Sequence, residues 1–235
     1  NITKIYEYNQ YGQVSRVTEF TTSTIATGVI TTKDIITYTY DQFGRLIVES
    51  TEHTDAANVV TNFQKFYEYN TYGQISRVTV FTATRTPEGT PTTKDVINYT
   101  YDQYGRVIGQ AVQHADAAGV VTNVYTYYTY NIYGQISKAL VITFNPGVTN
   151  PTIEDKNITY DQYGRMLNED IKITKPDGSI WFDSVLTTYN TYGQIIKKNI
   201  IHILPSGKVT NEEIAYTYDE FGRVKVQETR LTDSD

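Results

Sequence analysis

Four carboxylates stand at one fixed position of a repeated motif, and they are the first candidates for chemistry in this sequence. Aspartates at matching positions could act as general acids and bases or bind Ca²⁺. Asparagine, however, takes the same position in every alternate copy of the motif. Both side chains can cap a turn by accepting hydrogen bonds from the backbone. We therefore predict a structural role in turns for these four residues, Asp41, Asp102, Asp161 and Asp219.

A second motif position carries an aromatic ring in all eight copies. A regular row of such rings could stack on the sugar rings of a glycan, because each ring offers a flat apolar face. The alternative, which we favour, is that each ring packs over the neighbouring turn and seals one edge of a sheet. The candidate glycan-stacking residues are Tyr11, Phe43, Tyr72, Tyr104, Tyr133, Tyr163, Tyr192 and Phe221.

Other sources of catalysis or metal binding find little support. The histidines His53, His114 and His202 fall in different copies without a shared spacing, so we do not expect them to bind a metal. The absence of cysteine excludes disulfides and thiolate metal sites. The sequence contains neither a Gly-x-Ser-x-Gly nucleophile elbow nor a phosphate-binding loop. We predict no catalytic residue, no cofactor and no metal, and hence a protein that is not an enzyme.

The motif that carries these residues has the chemistry of a tight turn between two strands. It reads YTYDQYGRV around Asp102 and YEYNQYGQV around Asn9, and these Asp and Asn forms alternate strictly. Successive copies lie about 30 residues apart, so the repeating unit is a pair of about 60 residues. Glycine at the fourth turn position favours a type I turn closed by a left-handed residue and a bulge. The predicted turn glycines are Gly12, Gly44, Gly73, Gly105, Gly134, Gly164, Gly193 and Gly222.

A looser turn signal lies midway between successive motifs, for example at Pro176-Asp177-Gly178. Similar turns are predicted at Ala26-Thr27-Gly28 and Pro87-Glu88-Gly89. Together the two classes of turn leave strands of about eleven residues. We predict an all-β fold of tandem antiparallel β-hairpins, with about sixteen strands, almost no helix, and residues 1–235 in one array of four pairs. Because strands twist, so long a sheet should coil into a spiral, tube or solenoid-like sheet.

The turn also predicts which side chains share a face. In the second hairpin Tyr40 should oppose Leu46 and Tyr38 should oppose Val48, giving an aromatic and apolar surface that we call the tyrosine face. The opposite face is mixed but retains isoleucine and valine, so we expect the tyrosine face to be covered. In the first hairpin the tyrosine face should carry Tyr6, Tyr8, Val14, Arg16 and Phe20.

Charge and composition exclude two classes of partner. The 20 Lys+Arg and 26 Asp+Glu give a net charge of −6, whereas nucleic acid and anionic membrane surfaces select basic proteins. No run of 18 apolar residues is present, and we expect no membrane insertion. The sequence begins at Asn1 without a methionine, so we expect a processed product or part of a longer chain.

The Asp-form copies YTYDQFGRL, YTYDQYGRV and YTYDEFGRV resemble the YD repeat, also called the RHS repeat, whose pattern is Y-x-Y-D-x-x-G-R-hydrophobic. The resemblance implies hairpins that spiral into a hollow shell. It also implies an extracellular or cell-surface protein, and favours a bacterial source, since the family includes bacterial secreted and surface proteins and toxins as well as animal teneurins. The present unit is longer than the family's usual unit of about twenty residues. The proline- and aspartate-rich motif that ends toxin shells is absent.

We therefore expect a non-catalytic extracellular structural protein, forming a segment of a fibre, stalk or surface filament. Its partners should be further copies of itself, joined end to end through strand edges, or neighbouring repeats of a longer chain. An adhesin or carbohydrate-binding array that uses the turn aromatics is the alternative, with glycans as partners. Part of a toxin-encapsulating shell ranks third.

Overall fold

A computed structural model of the chain describes residues 1–25, 28–84 and 92–233. The predicted turns at 26–27 and 87–89 lie outside these residues, so their geometry is not described. Within the described part of the chain, no helix is long and apolar enough to cross a membrane.

Sixteen antiparallel strands form one open sheet in which the strand order follows the chain. The all-β hairpin fold is therefore confirmed, and the secondary structure of the described residues contains no helix. The strands are β1 Ile2–Tyr8, β2 Val14–Ile25, β3 Gly28–Tyr40, β4 Leu46–Thr54, β5 Val60–Tyr69, β6 Ile75–Thr84, β7 Thr92–Tyr101, β8 Val107–Ala115, β9 Val121–Tyr130, β10 Ile136–Phe144, β11 Thr152–Tyr160, β12 Met166–Thr174, β13 Ile180–Tyr189, β14 Ile195–Ile203, β15 Val209–Tyr218 and β16 Val224–Asp233.

By its internal contacts the chain divides into two units. The first, Asn1–Asn123, contains β1 to β8 and the beginning of β9. The second, Val124–Asp235, contains the rest of β9 and β10 to β16. Both units are built from the same antiparallel hairpins.

A five-residue turn closes each motif hairpin, and the second hairpin shows its geometry. The amide of Gly44 donates to the carbonyl of Asp41 at 3.0 Å, and the amide of Asp41 donates to the carbonyl of Arg45 at 2.9 Å. Gly44 has a φ of 80°. An L-residue in this left-handed region costs about 1 kcal/mol or more, which explains why glycine recurs here.

A β-bulge beside the motif turn corrects part of the predicted pairing. Tyr40 opposes Leu46 as expected, but the register then shifts, so Val48 opposes Thr39 and Glu49 opposes Tyr38. The extra residue on the second strand reverses which face every later side chain joins. The prediction that Tyr38 opposes Val48 was therefore wrong.

The same shift moves two residues of the first hairpin off the tyrosine face. Arg16 opposes Glu7, and Phe20 opposes Thr3. Val17, which opposes Tyr6, takes a place on the tyrosine face. The prediction that Arg16 and Phe20 share that face with Tyr6 and Tyr8 was therefore wrong, again because the bulge adds one residue.

The sheet has a thin core. In the described residues the buried hydrophobic side chains are Val17, Val78 and Val96. Tyr38 and Tyr40 on the tyrosine face are half-buried, so the expected full cover of that face is not seen. Stability must therefore come largely from pairing and side-chain contacts between neighbouring strands.

Candidate functional site

Each motif aspartate is held inside its own turn. Oδ1 of Asp41 accepts hydrogen bonds from the amides of Phe43 at 2.8 Å and Arg45 at 2.9 Å. Its Oδ2 accepts from Nε of Arg45 at 2.7 Å, and Nη2 of the same arginine also lies 2.7 Å from Oδ2. Both oxygens are thus occupied within the turn. The same arrangement recurs at Asp102, Asp161 and Asp219.

These contacts stabilise the ionised aspartate. Partial loss of hydration acts to raise the pKa of Asp41, but the hydrogen bonds from Arg45 and Phe43 outweigh it and lower the pKa below its usual value. At Asp219 the backbone hydrogen bond from Arg223 is the largest cause of the lowered pKa. A carboxylate with a lowered pKa is a poor proton acceptor near neutral pH, so this position suits capping rather than general-base catalysis.

The Asn-form turn achieves the same cap without charge. Oδ1 of Asn9 accepts from the amides of Tyr11 at 2.9 Å and Gln13 at 3.0 Å. Nδ2 of Asn9 donates to Oε1 of Gln13 at 3.0 Å. Glutamine therefore replaces arginine as the partner of the capping residue. Because Oε1 is occupied in this way, Nε2 of Gln13 remains to bond elsewhere.

That nitrogen ties each Asn-form hairpin to the Asp-form hairpin that follows it. Nε2 of Gln13 donates to the carbonyl of Gly44 at 3.0 Å. Beside it, the hydroxyl of Tyr40 donates to the carbonyl of Val14 at 2.8 Å. Equivalent bonds from glutamine and tyrosine are made by Gln74 and Tyr101, by Gln135 and Tyr160, and by Gln194 and Tyr218.

Within each unit, a different contact joins an Asp-form hairpin to the Asn-form hairpin that follows it. In the first unit the guanidinium carbon of Arg45 lies 4.5 Å from the ring centre of Tyr69, a cation–π contact. The hydroxyl of Tyr69 donates to the carbonyl of Leu46 at 2.6 Å. In the second unit Arg165 lies 4.5 Å from the ring centre of Tyr189. The hydroxyl of Tyr189 there donates to the carbonyl of Met166 at 2.9 Å.

The strict alternation of the two forms thus has a physical basis. In the Asn form a glutamine amide donates a hydrogen bond to a glycine carbonyl of the next hairpin. In the Asp form an arginine makes a cation–π contact with a tyrosine ring of the next hairpin. We call these the amide link and the arginine link. The tyrosine hydroxyl bond to a carbonyl accompanies both links. Each form is therefore next to the unlike form along the sheet.

The turn aromatics project into solvent. Their exposed fractions run from 72% at Phe43 to 88% at Tyr192, so the expectation that they pack over neighbouring turns was wrong. In the Asp form the ring is also contacted by the arginine of its own turn, as Arg106 lies 5.1 Å from the ring centre of Tyr104. The Asn-form rings are the more exposed, with Tyr72 at 87%.

An open cleft lies between an Asn-form turn and the Asp-form turn after it. The first example has a volume of about 450 Å³. A matching cleft of about 400 Å³ occurs in the second pair. A third, of about 700 Å³, lies between the last two turns and includes Tyr192, Gln194 and Gly222. The first cleft is lined by Tyr11, Gln13, Asp41, Gln42 and Gly44.

Three histidine–aspartate pairs were missed in the sequence. Nδ1 of His53 lies 2.6 Å from Oδ1 of Asp34, directly opposite on the neighbouring strand. The distance is also 2.6 Å in the pairs His114–Asp95 and His202–Asp183. Each histidine is the ninth residue after a motif glycine, so the statement that they share no spacing was wrong. Counting from the glycine would have found the pairs. Within the described ranges, no group of three or more such side chains could hold a metal ion.

Comparison with known proteins gives distant structural similarities. No protein-family model matches the sequence, and no curated protein matches it. TcdB2-TccC3-TEV is similar at 12% identity and a TM-score of 0.33, over 100% of this chain and 15% of that one. The chain thus spans only a small part of that protein's length.

Two porin-like proteins are also similar. The one from Bacteroides vulgatus has 11% identity and a TM-score of 0.37, over 81% of this chain and 97% of that one. The one from Bacteroides uniformis has 11% identity and a TM-score of 0.31, over 99% of this chain and 90% of that one. These similarities are too distant to show a family or a function.

Proposed function

We propose that the protein is a non-catalytic structural repeat protein, an extracellular segment of a fibre, stalk or surface filament built from YD-like hairpins. The observation that carries the proposal is the recurrence of the tyrosine hydroxyl bond between successive hairpins, as from Tyr40 to Val14 and from Tyr69 to Leu46. Each bond joins only adjacent hairpins. A chain whose units bind only their neighbours can be lengthened without redesigning a core.

The occupation of the motif side chains supports a structural role over a catalytic one. Asp41 has both carboxylate oxygens engaged with its own turn, and Arg45 is shared between Asp41 and the ring of Tyr69. Residues that serve as turn caps and links in this way have no free group directed at a substrate. The proposal that the protein is not an enzyme rests on this use of the best chemical candidates.

Placement outside the cell is proposed from the motif. The Asp-form copies resemble the YD repeat of bacterial secreted and surface proteins, as around Asp102 in YTYDQYGRV. Immunogold electron microscopy of intact cells that naturally make the protein tests this directly. We expect label on filaments or on the surface layer of intact cells. Label that appears only after the cells are permeabilised would contradict the proposal.

A carbohydrate-binding array is the second candidate, because the clefts repeat with the pair period. Each cleft offers the exposed ring of a turn tyrosine, and the side chains of Gln42 and Gln103 line two of the clefts. Aromatic faces and amides suit the apolar and hydroxyl surfaces of neutral sugars. Titration with neutral oligosaccharides, followed by NMR, tests this candidate. Tyr72→Ala should abolish binding at its cleft. Tyr104→Ala should weaken binding less, because Arg106 already contacts the ring of Tyr104.

A further inference from the structure

We propose that the outer edge of β16 binds the outer edge of β1 of a second copy of this chain, through the arginine link that joins hairpins inside each unit. This inference rests on the proposed structural function and supplies its partner and interface. Among the described residues β1 is bonded to β2 and β16 to β15, and the other edge of each strand pairs with no described strand. Edges of this kind favour pairing with another chain.

The internal contact that serves as the template joins an Asp-form hairpin to an Asn-form hairpin. In the first unit β4 pairs with β5, with Val48 opposite Phe66 and Glu49 opposite Lys65. The arginine link from Arg45 to Tyr69 lies at the turn end of this pairing. The second unit repeats it between β12 and β13. An edge that presents an Asp-form hairpin therefore fits an edge that presents an Asn-form hairpin.

The β16 edge presents the arginine half of that contact. Arg223 and Val224 occupy the motif positions of Arg45 and Leu46. The Arg223 side chain is 73% exposed, against 33% for Arg45, whose guanidinium is covered by Tyr69. Nε of Arg223 is nevertheless fixed by Oδ2 of Asp219 at 2.7 Å. The guanidinium is thus held in the linking geometry without the ring of a following hairpin.

The β1 edge presents the tyrosine half. Tyr8 occupies the motif position of Tyr69, but it is 62% exposed, whereas Tyr69 is half-buried. The hydroxyl of Tyr69 donates to the carbonyl of Leu46. The matching acceptor for Tyr8 would be the carbonyl of Val224 in the second copy. At each contact one copy thus supplies the ring of Tyr8, and the other supplies the guanidinium of Arg223 and the carbonyl of Val224.

Aligning the motif glycines fixes the register between the two copies. Val226 and Ile5 occupy the motif positions of the opposed residues Val48 and Phe66, so they would lie opposite each other. By the same alignment Gln227 would lie opposite Lys4. Val226 and Ile5 are 41% and 52% exposed, so each would cover an apolar side chain of the other. Gln227 opposite Lys4 replaces the charged pair of Glu49 and Lys65 and introduces no repulsion. At these two positions the edges therefore pair apolar with apolar side chains and bring no like charges together.

The contact is head to tail, because it uses different surfaces on the two copies. Such a contact leaves a free β1 edge at one end and a free β16 edge at the other, so it can continue into oligomers of increasing length. Pairing of β1 with β1, or of β16 with β16, would use like edges and stop at a dimer. The size of the products thus distinguishes the modes.

Cysteine cross-linking tests the register, and the absence of natural cysteine makes the experiment clean. The double variant Ile5→Cys with Val226→Cys places opposed thiols across the proposed contact, and Lys4→Cys with Gln227→Cys does so one position along. Two positions are used because adjacent opposed pairs in an antiparallel sheet alternate between closer and wider spacing. Under mild oxidation we expect at least one of them to give a ladder of covalent oligomers.

The matched control is Lys4→Cys with Val226→Cys, whose side chains would lie on opposite faces of the sheet. It should give at least tenfold fewer oligomers. Equal yields from control and in-register variants, cross-linking of a single-cysteine variant into dimers as efficient as that of the double variants, or no cross-linking at high concentration would each overturn the inference. Surface labelling of source cells could still succeed in that case, so failure here is distinguishable from failure of the proposed function.

A second measurement tests the tyrosine. In the described part of the chain, the Tyr8 hydroxyl makes no hydrogen bond, so Tyr8→Phe should leave the fold intact. Sedimentation should show end-to-end association weakened by roughly fivefold, the effect of losing one hydrogen bond. Tyr11→Phe, which alters an exposed ring in the same hairpin, should have no effect. Unchanged association of Tyr8→Phe would contradict the proposed role of the Tyr8 hydroxyl in the contact.

Discussion

The guanidinium of Arg45 lies 4.5 Å from the ring centre of Tyr69, while the same side chain pairs with Asp41 in its own turn. One arginine thereby couples the closure of a hairpin to the attachment of the next hairpin. A cation–π contact of this kind contributes about 0.5–1 kcal/mol when partly exposed. The same contact recurs in the second unit between Arg165 and Tyr189.

A double-mutant cycle measures this coupling. Arg45→Gln and Tyr69→Leu, alone and together, should give an interaction free energy of about 0.5–1 kcal/mol in urea unfolding. Tyr69→Phe is the control, because it keeps the ring and loses only the hydroxyl bond to Leu46. Arg45→Gln should therefore remain coupled to the phenylalanine. Strictly additive effects of Arg45→Gln and Tyr69→Leu would show that the arginine link contributes nothing.

Two glycines separate backbone strain from neighbour contact. Gly105 and Gly119 have φ values of 81° and 78°, so alanine at either should cost about 1 kcal/mol or more. A Cβ on Gly105 would lie 3.1 Å from Nε2 of Gln74, whereas on Gly119 it would meet nothing within 4 Å. Gly105→Ala should therefore lower the free energy of unfolding further. That excess should vanish in a Gln74→Ala background; if it persists, the amide link is not its cause.

Acid should weaken the Asp-form turns selectively. Burial acts to raise the pKa of Asp41, but hydrogen bonds from Arg45 and Phe43 lower it overall. A carboxylate with a lowered folded-state pKa adds stability that is complete above the unfolded value of about 3.9 and is lost as the pH falls through the folded pKa. Stability should therefore decline below about pH 4.

The Asn-form turn supplies the control for this prediction. Asp41→Asn with Arg45→Gln converts the second turn to the uncharged form. The urea midpoint of this variant, measured from pH 6 to pH 2, should decline less than that of the unaltered chain. Parallel curves for the two proteins would contradict a role for Asp41 in acid sensitivity.

The bulge can be checked through a tyrosine. Burial and the nearby carboxylate of Glu49, which accepts a hydrogen bond from the Tyr67 hydroxyl at 3.3 Å, raise the pKa of Tyr67 to about 12. Only the bulged register brings Glu49 to the tyrosine face. Glu49→Gln should therefore lower the Tyr67 pKa, measured by NMR of the labelled ring. An unchanged pKa would show that Glu49 does not face Tyr67.

Local turn chemistry made the hairpins predictable, because the glycine and the capping residue are adjacent in sequence. The pairing beyond the turn was less predictable, since one bulge residue such as Ile47 reverses all later faces. Contacts between hairpins were not predictable from one motif alone. Arg45 and Tyr69 are 24 positions apart, and nothing in either motif indicates that they meet. The pair of His53 and Asp34 was missed for a different reason, since its spacing from the glycine was present but not counted.

Electron microscopy of the purified, unaltered protein at increasing concentration distinguishes end-to-end assembly from a monomeric array. We expect unbranched filaments whose length grows with concentration, because the β16 edge of one copy continues the pattern at the β1 edge of the next. Monodisperse particles at every concentration, with neutral glycans bound at the clefts beside Tyr11 and Tyr72, would contradict end-to-end assembly and favour the carbohydrate-binding array.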